Sequence, residues 1–142
     1  MHDGATSTTP ADYFSASALA ALGDELLAAG VISRTLGDHG RYRYVLVCRA
    51  RTAAPEQHTR WTDVMMVQGG SATLITGGAL ADASEPAEGE LSGREIIGGD
   101  SRRVSAGDLV VIPAGVPHQV QLGDGESVRY LTIKVPPPSA VP

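Results

Sequence analysis

The stretch Gly107-Asp-Leu-Val-Val-Ile-Pro113-Ala-Gly115-Val-Pro-His118 constrains this chain more than any other. Leu109 to Ile112 is a short, β-branched apolar run, which is how a buried strand reads. Pro113 and Gly115 then force a sharp turn, because proline fixes φ and glycine reaches conformations closed to other residues. His118 opens the strand that follows. A histidine held at a strand start by a rigid turn is what a metal site or a general base requires. Further short strands flank this one. Val31–Leu36 and Arg41–Ala50 are joined by the hairpin loop 37–40, Asp63–Val67 and Ser71–Thr76 by the turn Gln68-Gly69-Gly70, and Ser127–Val135 closes the series. Many short strands with turn signals between them argue an all-β sandwich or barrel. The one helix is Ser15–Ala29, capped by Ser15 or Ser17 and ended by Gly30. Its Leu19, Leu22, Leu26 and Leu27 follow helical spacing and should lie against the barrel or a partner subunit.

At 142 residues the chain suits one domain that buries a core without staples. The expected organisation is a disordered N-terminus (1–12), a folded domain (13–135) and a disordered tail (136–142). A net charge of −5 argues against a nucleic-acid partner. No apolar run reaches membrane-spanning length and no charged-then-apolar leader opens the chain, so a cytoplasmic protein without a membrane partner is expected. The single cysteine, Cys48, excludes an internal disulfide and reads as a small buried hydrophobe.

Four histidines are present. His2 is terminal and His39 sits in a polar turn, so both read as bystanders. Glu56 and His58 are two apart and share a face if they lie on a strand. Asp63 starts the next strand and can face the same side, with Met65 and Val67 sharing its parity over an apolar pocket floor. Along Arg41–Ala50, one face carries Tyr42, Tyr44, Leu46, Cys48 and Ala50, and the other Arg43, Val45, Val47 and Arg49. The first set suits the barrel interior. Tyr42 and Tyr44 then either bind substrate and assist proton transfer or stand in the wall with their hydroxyls reaching solvent. Arg41, Arg43, Arg49 and Arg51 share one strand face, which either recognises an anionic substrate or, as the favoured reading, forms a solvated outer face or subunit contact. The segment 77–103 is long for a connection. It is either a lid or partner contact, or a surface excursion with one short strand at Ile96-Ile97.

Gly107, five residues, Pro113-x-Gly115, two residues and His118 match the second motif of the cupin superfamily position by position, with Leu122 in place of the Asn that often closes it. The first cupin motif has a partial counterpart in Glu56-x-His58, four residues, Asp63, six residues, Gly70. Here Glu56 stands for the first His and Asp63 for Glu. Gly89-Glu90-Leu-Ser-Gly93 and Gly98-Gly99 resemble the intermotif segment of small single-domain bacterial cupins with this variant. The resemblance covers roughly 41–135. It implies a single antiparallel β-barrel of jelly-roll type with a short N-terminal helix, often a homodimer, for which Val45 and Val47 offer an apolar outer face. It also implies that His58 and His118 meet inside the barrel with Glu56 and Asp63. Two imidazoles and a carboxylate suit one divalent transition metal, whether Fe, Mn, Ni, Co or Zn. The implied activity is that of a metal-dependent enzyme on a small organic substrate, leaning to oxygenation. Glu56, His58, Asp63 and His118 are then the metal ligands, and Asp63, Glu56, Tyr42 and Tyr44 the catalytic candidates. Isomerase, lyase or cyclase chemistry on the same cluster and non-catalytic binding of a small ligand are the alternatives.

Overall fold

The computed structural model describes residues 10–137. Its elements are one helix, α1 (Ala16–Ala29), and twelve strands: β1 (Ser33–Asp38), β2 (Arg43–Arg49), β3 (Glu56–His58), β4 (Thr62–Thr76), β5 (Ala79–Ala81), β6 (Ser84–Ala87), β7 (Glu90–Ser92), β8 (Glu95–Ile97), β9 (Asp100–Ser105), β10 (Leu109–Ile112), β11 (His118–Gln121) and β12 (Val128–Val135). Every strand pairing is antiparallel. The all-β jelly-roll barrel with a short N-terminal helix is therefore what forms. The termini 1–9 and 138–142, expected to be disordered, lie outside the described residues.

Strand β4 organises the molecule. Its first half, up to Gly70, pairs with β12 and β10, and its second half, from Ser71, pairs with β9 and β11. One strand thus belongs to both curled sheets. The two separate strands expected at 63–67 and 71–76 are one bent strand of 15 residues. Gly69-Gly70 does not reverse the chain. Gly70 takes φ 71°, and a Cβ there would stand 2.1 Å from the Ser127 carbonyl oxygen. The glycine permits a corner in a continuous strand, as bulged glycines do in curled sheets.

The core fills the space between the sheets. Val45, Val47, Met65, Val67, Leu74, Val104, Val120 and Tyr130 are buried together there. A second, smaller cluster lies outside the first sheet, where Leu26 of α1 covers Leu46 and Cys48 of β2 with Leu22, Leu36 and Leu131 around them. Ser15 caps α1, its Oγ accepting from the Ala18 amide at 3.0 Å, and Gly30 ends it at φ 69°. Cys48 is buried, in line with its reading as a hydrophobe.

This second cluster corrects the parity assigned to β2. Leu46 and Cys48 face the helix, not the barrel interior. Tyr42 is exposed, and Tyr44 packs edge-on against Phe14 and beside His39 outside the sheet. The inward face is Arg43, Val45, Val47 and Arg49. Val45 and Val47 are therefore core residues and not a subunit interface. Arg43 and Arg49 line the cavity rather than a solvated face, while Arg41 and Arg51 are exposed. The physical reason is that α1 gives β2 an apolar layer on its outer side as well. Both faces of the strand centre are then apolar, and alternation alone does not tell inside from outside.

Candidate metal centre

The site grows from the pairing of β3 with its two neighbours. His118 of β11 is registered opposite Glu56, and Glu90 of β7 opposite His58. Glu56 and His58 are two apart on one strand, so their side chains emerge on the same face. The Pro113–Pro117 turn locks the arrangement. The Gly115 amide, in a residue at φ 87°, donates to the His58 carbonyl at 2.7 Å, so the turn that aims His118 also grips the strand of His58.

Each imidazole is anchored at Nδ1 and turns Nε2 into the barrel, where that of His58 meets Glu56. His118 Nδ1 donates to the Val116 carbonyl at 3.1 Å. His58 Nδ1 donates to the Glu90 carboxylate. The two Nε2 atoms consequently turn to one region, with ring centroids 4.9 Å apart. Glu56 Oε2 lies 3.3 Å from His58 Nε2 and 4.0 Å from His118 Nε2. Asp63 Oδ2 lies 3.5 Å and 3.9 Å from the same atoms. One ligand atom each from Glu56, His58 and His118 falls within 4.8 Å of the others. Fixing Nδ1 by a carbonyl or carboxylate while Nε2 stays free is how proteins orient metal-ligating histidines, so these residues fit a divalent transition metal.

Asp63 is 6% exposed and shares its other oxygen, Oδ1, with Lys134 Nζ at 2.8 Å. The cluster opens on a cavity of about 330 Å³ lined by apolar Val45, Val47, Met65, Leu74 and Ile112 and by charged Arg43, Arg49 and Lys134. Tyr130 is buried at its wall, and its hydroxyl accepts from Arg49 Nε at 3.0 Å. Protonation follows from these contacts. Glu56 is held below the ordinary carboxylate range, first by its hydrogen bond with His58. Burial pushes His58 down, as does the Lys134 charge, but its bonds to Glu56 and Glu90 and the Asp63 charge prevail and its pKa is raised. Burial dominates at His118 and lowers its pKa despite the Val116 carbonyl.

Of the residues singled out from sequence, Glu56, His58, Asp63 and His118 converge. Tyr42 and Tyr44 stand outside the barrel, so they are not at the site. His39 stands there too, 2.9 Å from Asp12, and His2 lies outside the described residues. Three participants were not assigned to the site from sequence: Glu90, Lys134 and Tyr130. Glu90 had a signal in the Gly89-Glu90-x-x-Gly93 pattern. Its segment carries four short strands before β9, not one, and brings that carboxylate to the back of His58.

A family model described as an AraC-like ligand binding domain matches residues 93–141. No curated protein matches the sequence. Among solved structures, an uncharacterized conserved protein with a double-stranded β-helix domain from Klebsiella pneumoniae is 15% identical, with a TM-score of 0.55 over 77% of this chain and 79% of that one. A Cupin 2 conserved barrel domain protein from Salinispora arenicola is 17% identical, with a TM-score of 0.50 over 72% and 73%. This chain has the cupin-type barrel fold. The polyketide cyclase RemF from Streptomyces resistomycificus shares the cupin fold at 24% identity and a TM-score of 0.52, over 75% of this chain. The match spans 66% of the RemF chain. Among the described residues, no helix is long and apolar enough to cross a membrane.

Proposed function

We propose that this cupin is a metal-dependent enzyme acting on a small organic molecule in its barrel, with His58, His118 and Glu56 holding one divalent transition metal. The observation that carries this reading is the pair of imidazoles anchored at Nδ1 and converging through Nε2 beside Glu56. Such an ion, when bound, supplies Lewis acidity toward a substrate oxygen.

The chain's own residues supply the rest. Asp63 is the proton-transfer group. Lys134 holds its Oδ1, which leaves Oδ2 facing the region where the imidazoles converge. Glu90 holds the His58 ring in the tautomer that presents Nε2. The apolar wall of Val45, Val47 and Met65 excludes water from the reacting end of the substrate. A paired base beside a Lewis-acid site favours proton-transfer chemistry of the isomerase, lyase or cyclase kind.

Two other readings each have an observation in their favour. Two imidazoles with one carboxylate are also the donor set of non-haem iron oxygenation. The match to a ligand-binding domain over 93–141 favours a module that binds without turnover. Elemental analysis after metal-replete expression is the test. The proposal expects near one transition metal per chain in wild type and loss of it in His118→Ala. Less than about a tenth of a metal per chain in wild type overturns it, since a ligand set that folds around its ion retains it. Conversion that proceeds without oxygen then separates proton transfer from oxygenation.

A further inference from the structure

From Asp63 at the metal centre, a row of charged side chains runs across the barrel to a polar corner, at Arg43, that the centre does not use. Arg43, Lys134 and Asp63 form one cross-strand row on β2, β12 and β4. Lys134 is already matched by Asp63 at 2.8 Å. Arg43 is not matched. Its guanidinium carbon lies 4.9 Å from the centre of the Trp61 ring, and its Nε is buried without a hydrogen-bond partner. Among the described residues, no carboxylate forms an ion pair with it. Two residues before Lys134 on the same face of β12, Thr132 is 6% exposed and its Oγ1 also lacks a partner. Arg43 and Thr132 both line the cavity.

Buried donors left unpaired cost about 1–3 kcal/mol each and call for an explanation. A guanidinium over an indole ring, with a threonine hydroxyl diagonally across on the neighbouring strand, is a donor set suited to a carboxylate. The charge count sharpens the match. With Lys134 cancelled by Asp63, the corner offers one net positive charge, which suits a monoanion better than a phosphate dianion.

We infer that Arg43 and Thr132 bind the carboxylate of the substrate, so that the cavity takes a small organic acid. This rests on the proposed function only for what happens at the acid's other end. Adjacent strands lie about 4.8 Å apart, so Arg43 and Asp63, two strands apart, are separated by about 10 Å of backbone. A carboxylate at Arg43 thus leaves room for a short chain or one ring before the histidines, in keeping with a cavity of about 330 Å³.

The experiment compares hexanoate and phenylacetate with their neutral amides, by calorimetry on the full chain. The expected result is that the acids bind about tenfold tighter than the amides, that Arg43→Gln erases the preference, and that Thr132→Val weakens acid binding about threefold. Equal binding of acid and amide, no acid binding at millimolar concentration, or an unchanged preference in Arg43→Gln overturns the inference. Arg43→Lys keeps the charge without the fork and serves if the glutamine variant fails to fold. Its expected acid preference lies below that of wild type, and a full preference overturns the assignment of the fork. His118→Ala separates the two proposals. Acid preference that survives there supports the Arg43 corner even if the metal reading fails. Preference lost in His118→Ala but kept in Arg43→Gln means that the acid sits on the ion, and overturns the inference.

Discussion

Replacing Glu90 tests whether the back side of His58 sets the metal affinity of the front. The carboxylate accepts from His58 Nδ1, a charge-assisted bond of a kind worth about 1.5–3 kcal/mol. The Glu90 side chain is 34% exposed, so water screens part of that value and the lower end, about 1.5 kcal/mol, is the working figure. At 1.4 kcal/mol per decade this is about a tenfold change in Kd. Glu90→Gln keeps an acceptor oxygen and removes only the charge, so it is expected to weaken metal binding about threefold to tenfold. Glu90→Ala removes the acceptor and frees the ring to rotate, and is expected to weaken it by about ten to a hundredfold. Glu88, two residues away, pairs with Arg60 at the surface, and Glu88→Gln is the matched control with no expected effect. Competition against a chromophoric chelator, with zinc or cobalt, measures all three. An alanine variant that binds as tightly as wild type refutes the orienting role of Glu90.

Three further predictions address the scaffold. Gly70→Ala forces a Cβ within 2.1 Å of the Ser127 carbonyl oxygen at φ 71°, so thermal unfolding should report a loss of about 3 kcal/mol or more, and a shift within error refutes the corner assignment. Leu46 is fully buried between β2 and α1, so Leu46→Ala should cost about 2–5 kcal/mol in urea unfolding, whereas Leu27→Ala, at an exposed position, should cost far less. Glu126, hydrogen-bonded by Arg103 and by the Gly123 amide, is lowered to about 2. A carboxyl lowered on folding contributes stability above its unfolded value and loses it as pH falls through the folded one. The stability gap between wild type and Glu126→Gln should therefore be full at neutral pH and close between about 4.5 and about 2, as pH-dependent melts will show.

The motif around Pro113 and Gly115 made the barrel legible in the sequence, because a turn that only proline and glycine build leaves little freedom in what flanks it. Strand β10 forms at Leu109–Ile112, but it is not the buried strand its apolar run suggests: Leu109 and Val111 are exposed on its outer face and only Ile112 is buried, while β12 differs from its expected start by one residue. The convergence of Glu56, His58, Asp63 and His118 was legible through the same resemblance. What alternation left undetermined was the inward face of β2. Helix α1 supplies apolar cover on its outside, so both faces of the strand centre are apolar, and Arg43 and Arg49 lie on the face that lines the cavity. Glu90 was hidden for another reason. Its three-residue strand is too short to show a period, and its partner His58 is 32 positions away. Lys134 likewise reads as an ordinary charged strand residue until β12 and β4 place it beside Asp63.

The proposed function requires one ion where the two histidines converge. Crystals grown from metal-replete protein, with anomalous data collected at the iron, nickel and zinc edges, test it most directly. A single strong peak is expected within bonding distance of His58 Nε2, His118 Nε2 and a Glu56 oxygen. A site without anomalous signal at any of these edges, or a peak bound elsewhere with the two imidazoles turned apart, would contradict it.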